Sequence, residues 1–344
     1  MFVGHELLAF ALVGWGASRL GSDGATALRL GSVAALAALL PDLDVVYAVA
    51  TYAAAVADGT PLGWEAFWGV ANGVHRVVTH PLPTGAVATL VFGAVAVGAG
   101  RRTVSRSVSV ALAALALAGF VGLLATFRAA LGVSAALVAA AFLLVVGLVG
   151  ATAGRRVSVA GDARVAPAAL SAAAGVGFLT HPFGDVFLAA PPPLLSPVGP
   201  PLLTSRVVIA ADPTLNLLGI LFVEVATVWA GVAVFARLDA ARPRLRDAVD
   251  VRAAVGVGYA PAALLLPRPT IADAHVLGFT AVPLAVAVAL WVGWSSRERG
   301  GRPESAAADR AGTDRLDTAY VAVVSGLTTL TLAGVAYGIV HVFV

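Results

Sequence analysis

Cysteine and lysine are both absent from the 344 residues, and charged side chains make up only 12% of the chain. Without cysteine there is no disulfide, no thiolate ligand and no cysteine nucleophile, so any metal must be held by imidazole and carboxylate. So little charge cannot cover the surface of a soluble protein of this size. With 59% hydrophobic residues, a mean hydropathy of +0.92 and long apolar runs, the chain reads as an integral membrane protein. The net charge of +3 comes from arginines that lie mostly in short loops, so it reports topology and gives no basic patch for nucleic acid. The N-terminus lacks the basic stretch and small-residue cleavage site of a signal peptide, and the first apolar stretch is expected to stay in the mature protein.

Windows of about 20 apolar residues predict an all-α, polytopic bundle of about 10 spans. They lie near 3–20, 25–40, 82–100, 108–127, 131–151, 165–189, 213–236, 249–266, 271–293 and 316–343. Arginines mark four loops: Arg101, Arg102 and Arg106; Arg155, Arg156 and Arg164; Arg237, Arg242, Arg244 and Arg246; and Arg297, Arg299, Arg302, Arg310 and Arg315. The positive-inside rule places all four in the cytoplasm, with an even number of spans between each, and both termini outside. Residues 45–74 fit no span: VVYAVATYAAAVA is short, and the stretch with Trp64 and Trp68 reads as interfacial, so both are expected to cover the outer surface.

On that topology His5, Asp42, Asp44, His75, His80, His181 and Asp185 all reach the extracytoplasmic end of the bundle. Pro41-Asp42-Leu43-Asp44 has a local reading, in which Asp44 caps the following segment. Asp42, near the C-terminal end of a span, opposes the helix dipole and is better explained by a bound cation. His75-Arg76-Val77-Val78-Thr79-His80-Pro81 puts two imidazoles five apart, about 140° around a helix, so both can be ligands only if the start is irregular, as Pro81 makes it. Arg76 suits either clamping an anionic substrate or reaching lipid headgroups. In Thr180-His181-Pro182-Phe183-Gly184-Asp185, imidazole and carboxylate four apart share a helix face. Pro182 is expected to kink or end that helix at His181, and such a break in a membrane favours a cavity.

The N-terminal histidine, the PDLD, the HRxxTH and the HxxxD followed by a Pro-rich stretch over Pro191–Leu203 resemble the YdjM-like family of predicted membrane-bound metal-dependent hydrolases. The resemblance covers roughly residues 1–210. The family is similar in turn to zinc-dependent phospholipase C and related nucleases, which implies phosphoester cleavage. It also implies metal ligation by His5, Asp42, Asp44, His75, His80, His181 and Asp185. Pro81 and Pro182 depart from the family pattern.

The expected organisation is a hydrolase-like membrane core over 1–210 and additional transmembrane helices over 211–344. The expected activity is hydrolysis of a phosphoester or lipid-linked substrate by metal-activated water, with Asp44 or Asp42 as bridging ligand or general base and Arg76 beside them. Zinc is the expected metal, with manganese or iron as alternatives. Membrane lipids and a small-molecule or lipid-like substrate are the expected partners. The competing readings are a cation or small-molecule transporter using the same groups and a non-catalytic membrane protein. In the C-terminal half, Glu224 is either a carboxyl hydrogen-bonded within the bundle or a proton relay. Asp273, His275 and His341 read as interfacial residues, and 294–315 as a charged linker.

Overall fold

The computed structural model describes residues 3–71, 76–100, 104–159, 165–187, 190–299 and 308–344, and every regular element among them is helical. It divides into two compact units, 1–207 and 208–344.

The first unit comprises α1 (Gly4–Arg19), α2 (Gly24–Leu39), a 3-10 turn (Leu40–Asp44), α3 (Val45–Ala57), α4 (Trp64–Ala71), α5 (Leu82–Ala99), α6 (Arg106–Leu131), α7 (Val133–Val159) and α8 (Pro167–Gly184). Helix starts follow from the sequence. Asp23 caps α2 by accepting from the Thr26 N–H at 2.8 Å, Ser105 opens α6, and proline opens the first turns of α5 and α8, where no intrahelical donor is needed. The core is built from small residues and a few rings, among them Ala34, Ala37, Ala38, Phe92, Ala96, Phe142, Ala174 and Phe178. Small residues let helix backbones approach closely where lipid supplies no hydrophobic drive between helices.

Gly177 shows how close that approach is, because a Cβ there would meet the Ala34 carbonyl oxygen and the Ala38 nitrogen of α2. Overpacking costs about 1–3 kcal/mol, and here the obstacle is backbone that cannot rotate away. That outweighs the roughly 1 kcal/mol a helix gains from glycine to alanine. Gly177→Ala is therefore expected to lower stability by about 1–2 kcal/mol, read as a fall in thermal midpoint in detergent. A variant as stable as the wild type would contradict backbone contact between α2 and α8.

The second unit comprises α9 (Pro213–Leu238), a 3-10 segment (Val251–Tyr259), short α10 (Ala262–Leu265) and α11 (His275–Gly278), α12 (Ala281–Arg299) and α13 (Ala308–Phe343). α13 is its spine, packed by α9, α12 and the 3-10 segment. The Trp229 indole N–H donates to Thr331 Oγ1 at 3.0 Å, and Arg242 is held at 2.8 Å by Asp239 and 2.6 Å by Asp317.

Seven helical runs among the described residues are long and apolar enough to cross a membrane, fewer than the ten expected. The expected spans 3–20 and 165–189 are helices α1 and α8, of 16 and 18 residues, and neither is among the seven. The expected span 249–266 is mainly 3-10 backbone. A third difference falls on residues 45–57, which continue α2 through the 3-10 turn as a 34-residue apolar run, Gly24–Ala57. The backbone stays right-handed helical at Leu39, Leu40, Asp44 and Val45, because Pro41 sits in the first turn of the 3-10 segment, where it breaks no hydrogen bond. Such a run, at about 1.5 Å per residue, reaches about 50 Å and exceeds a bilayer core of about 30 Å.

Candidate metal centre

Four segments of the first unit deliver side chains to one buried point. α1 begins at Gly4 and carries His5 in its first turn, the 3-10 turn carries Asp42 and Asp44, the loop before α5 carries Arg76, Thr79 and His80, and the end of α8 carries His181 and Asp185. His5, Asp44, His80, His181 and Asp185 are buried, His181 completely, while the Asp42 side chain keeps 20% of its exposure. His75 lies outside the described residues.

Pro81 acts as the sequence suggests. It is the N-cap of α5 with ψ 143°, so His80 lies outside the helix and is aimed by the loop. Thr84 fixes that loop by donating its hydroxyl to the Val78 carbonyl at 2.8 Å. Of the two outcomes expected at Pro182, an end at His181 does not occur, since α8 runs on to Gly184 and passes into a 3-10 turn, Asp185–Phe187. Proline at 182 leaves the Phe178 carbonyl without its helical donor. That carbonyl faces Gly85 of α5, where a Cβ would come within 3.2 Å of it, so the missing side chain makes room.

The donor atoms form two overlapping groups, His5–Asp42–His181 and His80–His181–Asp185, in each of which one ligand atom per residue lies within 4.8 Å of the others. The Nε2 atoms of His80 and His181 are 2.9 Å apart. Asp42 Oδ1 is 3.5 Å from Nε2 of both His80 and His181, and Asp185 Oδ2 is 3.3 Å from Nε2 of His80. His5 Nε2 lies 3.5 Å from Asp185 Oδ1, and its ring centroid is 4.2 Å from that of His181. Ligands at 2.0–2.1 Å from a tetrahedral zinc stand about 3.3 Å from one another. The donors therefore already have the separations of a coordination shell. His5 Nε2 is buried and makes no hydrogen bond, which an interior tolerates poorly unless a ligand completes it.

Asp44 stands apart from both donor groups. Its Oδ2 accepts from the Arg76 backbone N–H at 2.8 Å and from the Thr79 hydroxyl at 2.6 Å, and Thr79 Oγ1 is 2.9 Å from His80 Nδ1. Asp44 and Thr79 thus fix the orientation of the His80 ring through the nitrogen that faces away from His181. Arg76 holds a left-handed backbone (φ 74°), a conformation worth about 1–3 kcal/mol of strain in a side-chain-bearing residue. The N–H bond to Asp44 holds it there, and its Nε lies 2.9 Å from Asp185 Oδ2. Burial opposes a charge on His80, but hydrogen bonds to Asp185 and Asp42 and the nearby Asp44 outweigh it and push its pKa up to about 9.

Thr79 had no assigned role in the sequence. The signal was the repeated Thr-His-Pro, at 79–81 and 180–182, but only the first threonine serves the site, since Thr180 donates to the Val176 carbonyl within its own helix. Partners that orient metal-binding histidines typically change affinity 10–100-fold when removed. Thr79→Val is accordingly expected to weaken zinc binding about 10–100-fold, measured by titration of the metal-free protein, and unchanged affinity would remove Thr79 from the site.

In the second unit, His341 pairs with Asp212 at 3.2 Å and stacks on Tyr337, and His275 lies beside Phe279. None of these, nor Glu224, joins a metal-competent group among the described residues. In comparison with known proteins, residues 1–241 match the family model of the YdjM inner membrane protein, past the end of the first unit and through α9. No curated protein and no solved structure matches the chain.

Proposed function

From the premise that this chain belongs to the YdjM inner membrane protein family, and is a multi-pass membrane protein, we propose that its first unit is a divalent-metal-dependent hydrolase acting on a phosphoester. One observation carries this reading: imidazole and carboxylate donors from four separate segments converge at separations of 2.9–3.5 Å, matching a coordination shell. His5, His80, His181, Asp42 and Asp185 would hold the cation, and a donor set of nitrogen and oxygen without sulfur suits zinc, with manganese or iron as alternatives. When bound, such a cation supplies a Lewis acid and lowers the pKa of water.

The chain's own residues supply the rest. Asp42 is the partly exposed carboxylate of the set and would take the proton of the water that attacks phosphorus, while the P–O bond to the leaving group breaks and that oxygen takes up a proton from solvent. The Arg76 guanidinium, 12% exposed, offers a fork of donors to a phosphoryl group at the rim. Asp44 and Thr79 position His80. The direct test is hydrolysis of generic phosphoesters and phospholipids by the full chain in liposomes with added zinc. Loss of turnover with a chelator and its return with zinc support the reading, and no hydrolysis of any substrate at full metal occupancy contradicts it.

Read with the positive-inside rule, the arginines that follow α5 and those near the end of α7 would put the opposite end of α5, where this centre lies, on the extracytoplasmic side. Cysteines at Asp58 and Val198, both exposed, are then expected to react with a membrane-impermeant thiol reagent in intact cells, while one at Arg156 reacts only after permeabilisation. Labelling of Asp58 and Val198 from opposite sides would break the topology.

A further inference from the structure

A groove of about 520 Å³ opens beside the metal centre, between α7 and the segment from Leu43 to Ala50. One wall is Val46, Tyr47 and Ala50. The other is Ser134, Leu137, Ala141 and Val145, one face of α7 at helical spacing. Asp44 and Thr79 lie in the same lining, and they are the pair that orients His80, so the groove touches the site through its own hydrogen-bonded support. Val46 and Leu137 are 68% and 65% exposed, although both are apolar and belong to runs suited to a bilayer. This face therefore looks out on lipid hydrocarbon.

Size decides what fits. The α7 wall from Ser134 to Val145, at 1.5 Å per residue, is about 16 Å long, or about half of a 30 Å hydrocarbon core, the depth of one leaflet. A single hydrocarbon chain of one leaflet matches that depth, and the apolar, outward-facing walls suit it. Charge decides the other end of the molecule. The groove borders a centre where Arg76, and a cation if held by the His/Asp donors, would attract an anion.

We propose that the substrate is a membrane lipid with a phosphate-bearing head, which enters sideways from the bilayer with one chain lying between α3 and α7 and its head at the His/Asp centre. This rests on the hydrolase reading for what happens to the head, but binding itself does not require turnover.

The test uses the full chain in phosphatidylcholine vesicles containing phosphatidic acid with a photoactivatable group on one acyl chain. After irradiation, labelled peptides are mapped by mass spectrometry. Labelling is expected to concentrate on 134–145 and 43–50, and to be competed by unlabelled phosphatidic acid but not by diacylglycerol. Ala141→Trp, which fills the groove without touching a metal donor, is expected to reduce it about tenfold, equivalent to about 1.4 kcal/mol, with zinc content unchanged. Ala50→Trp does the same from the opposite wall, and the wild-type map stands if either variant fails to fold. Equal labelling of the lipid-facing part of α6 around Leu115 and Leu117, or equal competition by diacylglycerol, overturns the proposal. Groove labelling with no hydrolysis leaves the lipid site standing and removes the enzyme. Zinc-dependent hydrolysis without groove labelling does the reverse.

Discussion

His181→Ala is expected to strip the protein of its metal while leaving its helical content in place. His181 is fully buried, belongs to both donor groups, and has Nε2 at 2.9 Å from His80 and 3.5 Å from Asp42. Partners that only orient ligands change affinity about 10–100-fold when removed, so loss of a shared donor is expected to exceed about 100-fold. His80→Ala is expected to behave alike. His341→Ala, which breaks only the contact with Asp212 in the second unit, is expected to keep the wild-type metal content. The measurement is elemental analysis of purified variants, with circular dichroism and size-exclusion chromatography to show that they are folded. Full metal retention in both His80→Ala and His181→Ala would leave the cluster as ordinary buried polar packing.

The second large effect separates hydrolysis from transport. Asp42→Asn keeps the shape of the side chain but removes its capacity to hold a proton or a full negative charge, and is expected to lower phosphoester turnover by about 10²–10⁴-fold. Glu224→Gln, far along the sequence on α9, is expected to leave turnover within about twofold, below the range in which acid–base groups act. A carrier driven by protons or cations would invert the pattern, because coupling in such proteins resides in carboxylates within the spans. Hydrolysis and ion uptake measured in the same liposomes decide it, and uptake that fails only in Glu224→Gln, with no hydrolysis of any substrate, favours the carrier.

Membrane residence was legible from composition, and the grouping of His5, Asp42, His80, His181 and Asp185 was expected from motifs set on a ten-span arginine topology, although only seven runs among the described residues are clear spans. What each carboxylate does was not. Asp42 and Asp44 are two residues apart on a 3-10 turn, where that spacing separates side chains by about 120°, so one faces the imidazoles and the other faces Arg76 and Thr79. A sequence that reads equally well as a turn or as continuing helix does not reveal which is which. The same ambiguity hid the passage of α2 into α3, because Pro41 marks a break in an α-helix but is admitted at the start of a 3-10 segment. At Pro182 the carbonyl that loses its helical donor faces Gly85, 97 positions before the proline, and no local pattern near 182 carries that information. The short helices α1 and α8 show a further limit: both bring ligands to the centre, yet their length and polar ends leave them outside the set of clear spans.

The claim on which the rest depends is that the His/Asp cluster of the first unit binds a divalent cation, and metal stoichiometry of the zinc-saturated, washed wild-type protein tests it most directly. About one or more tightly held divalent ions per chain, lost on chelation and restored by zinc, is the predicted result for a site of this donor number and spacing. Wild-type protein that retains no more zinc than a folded His80→Ala, His181→Ala double variant would contradict it.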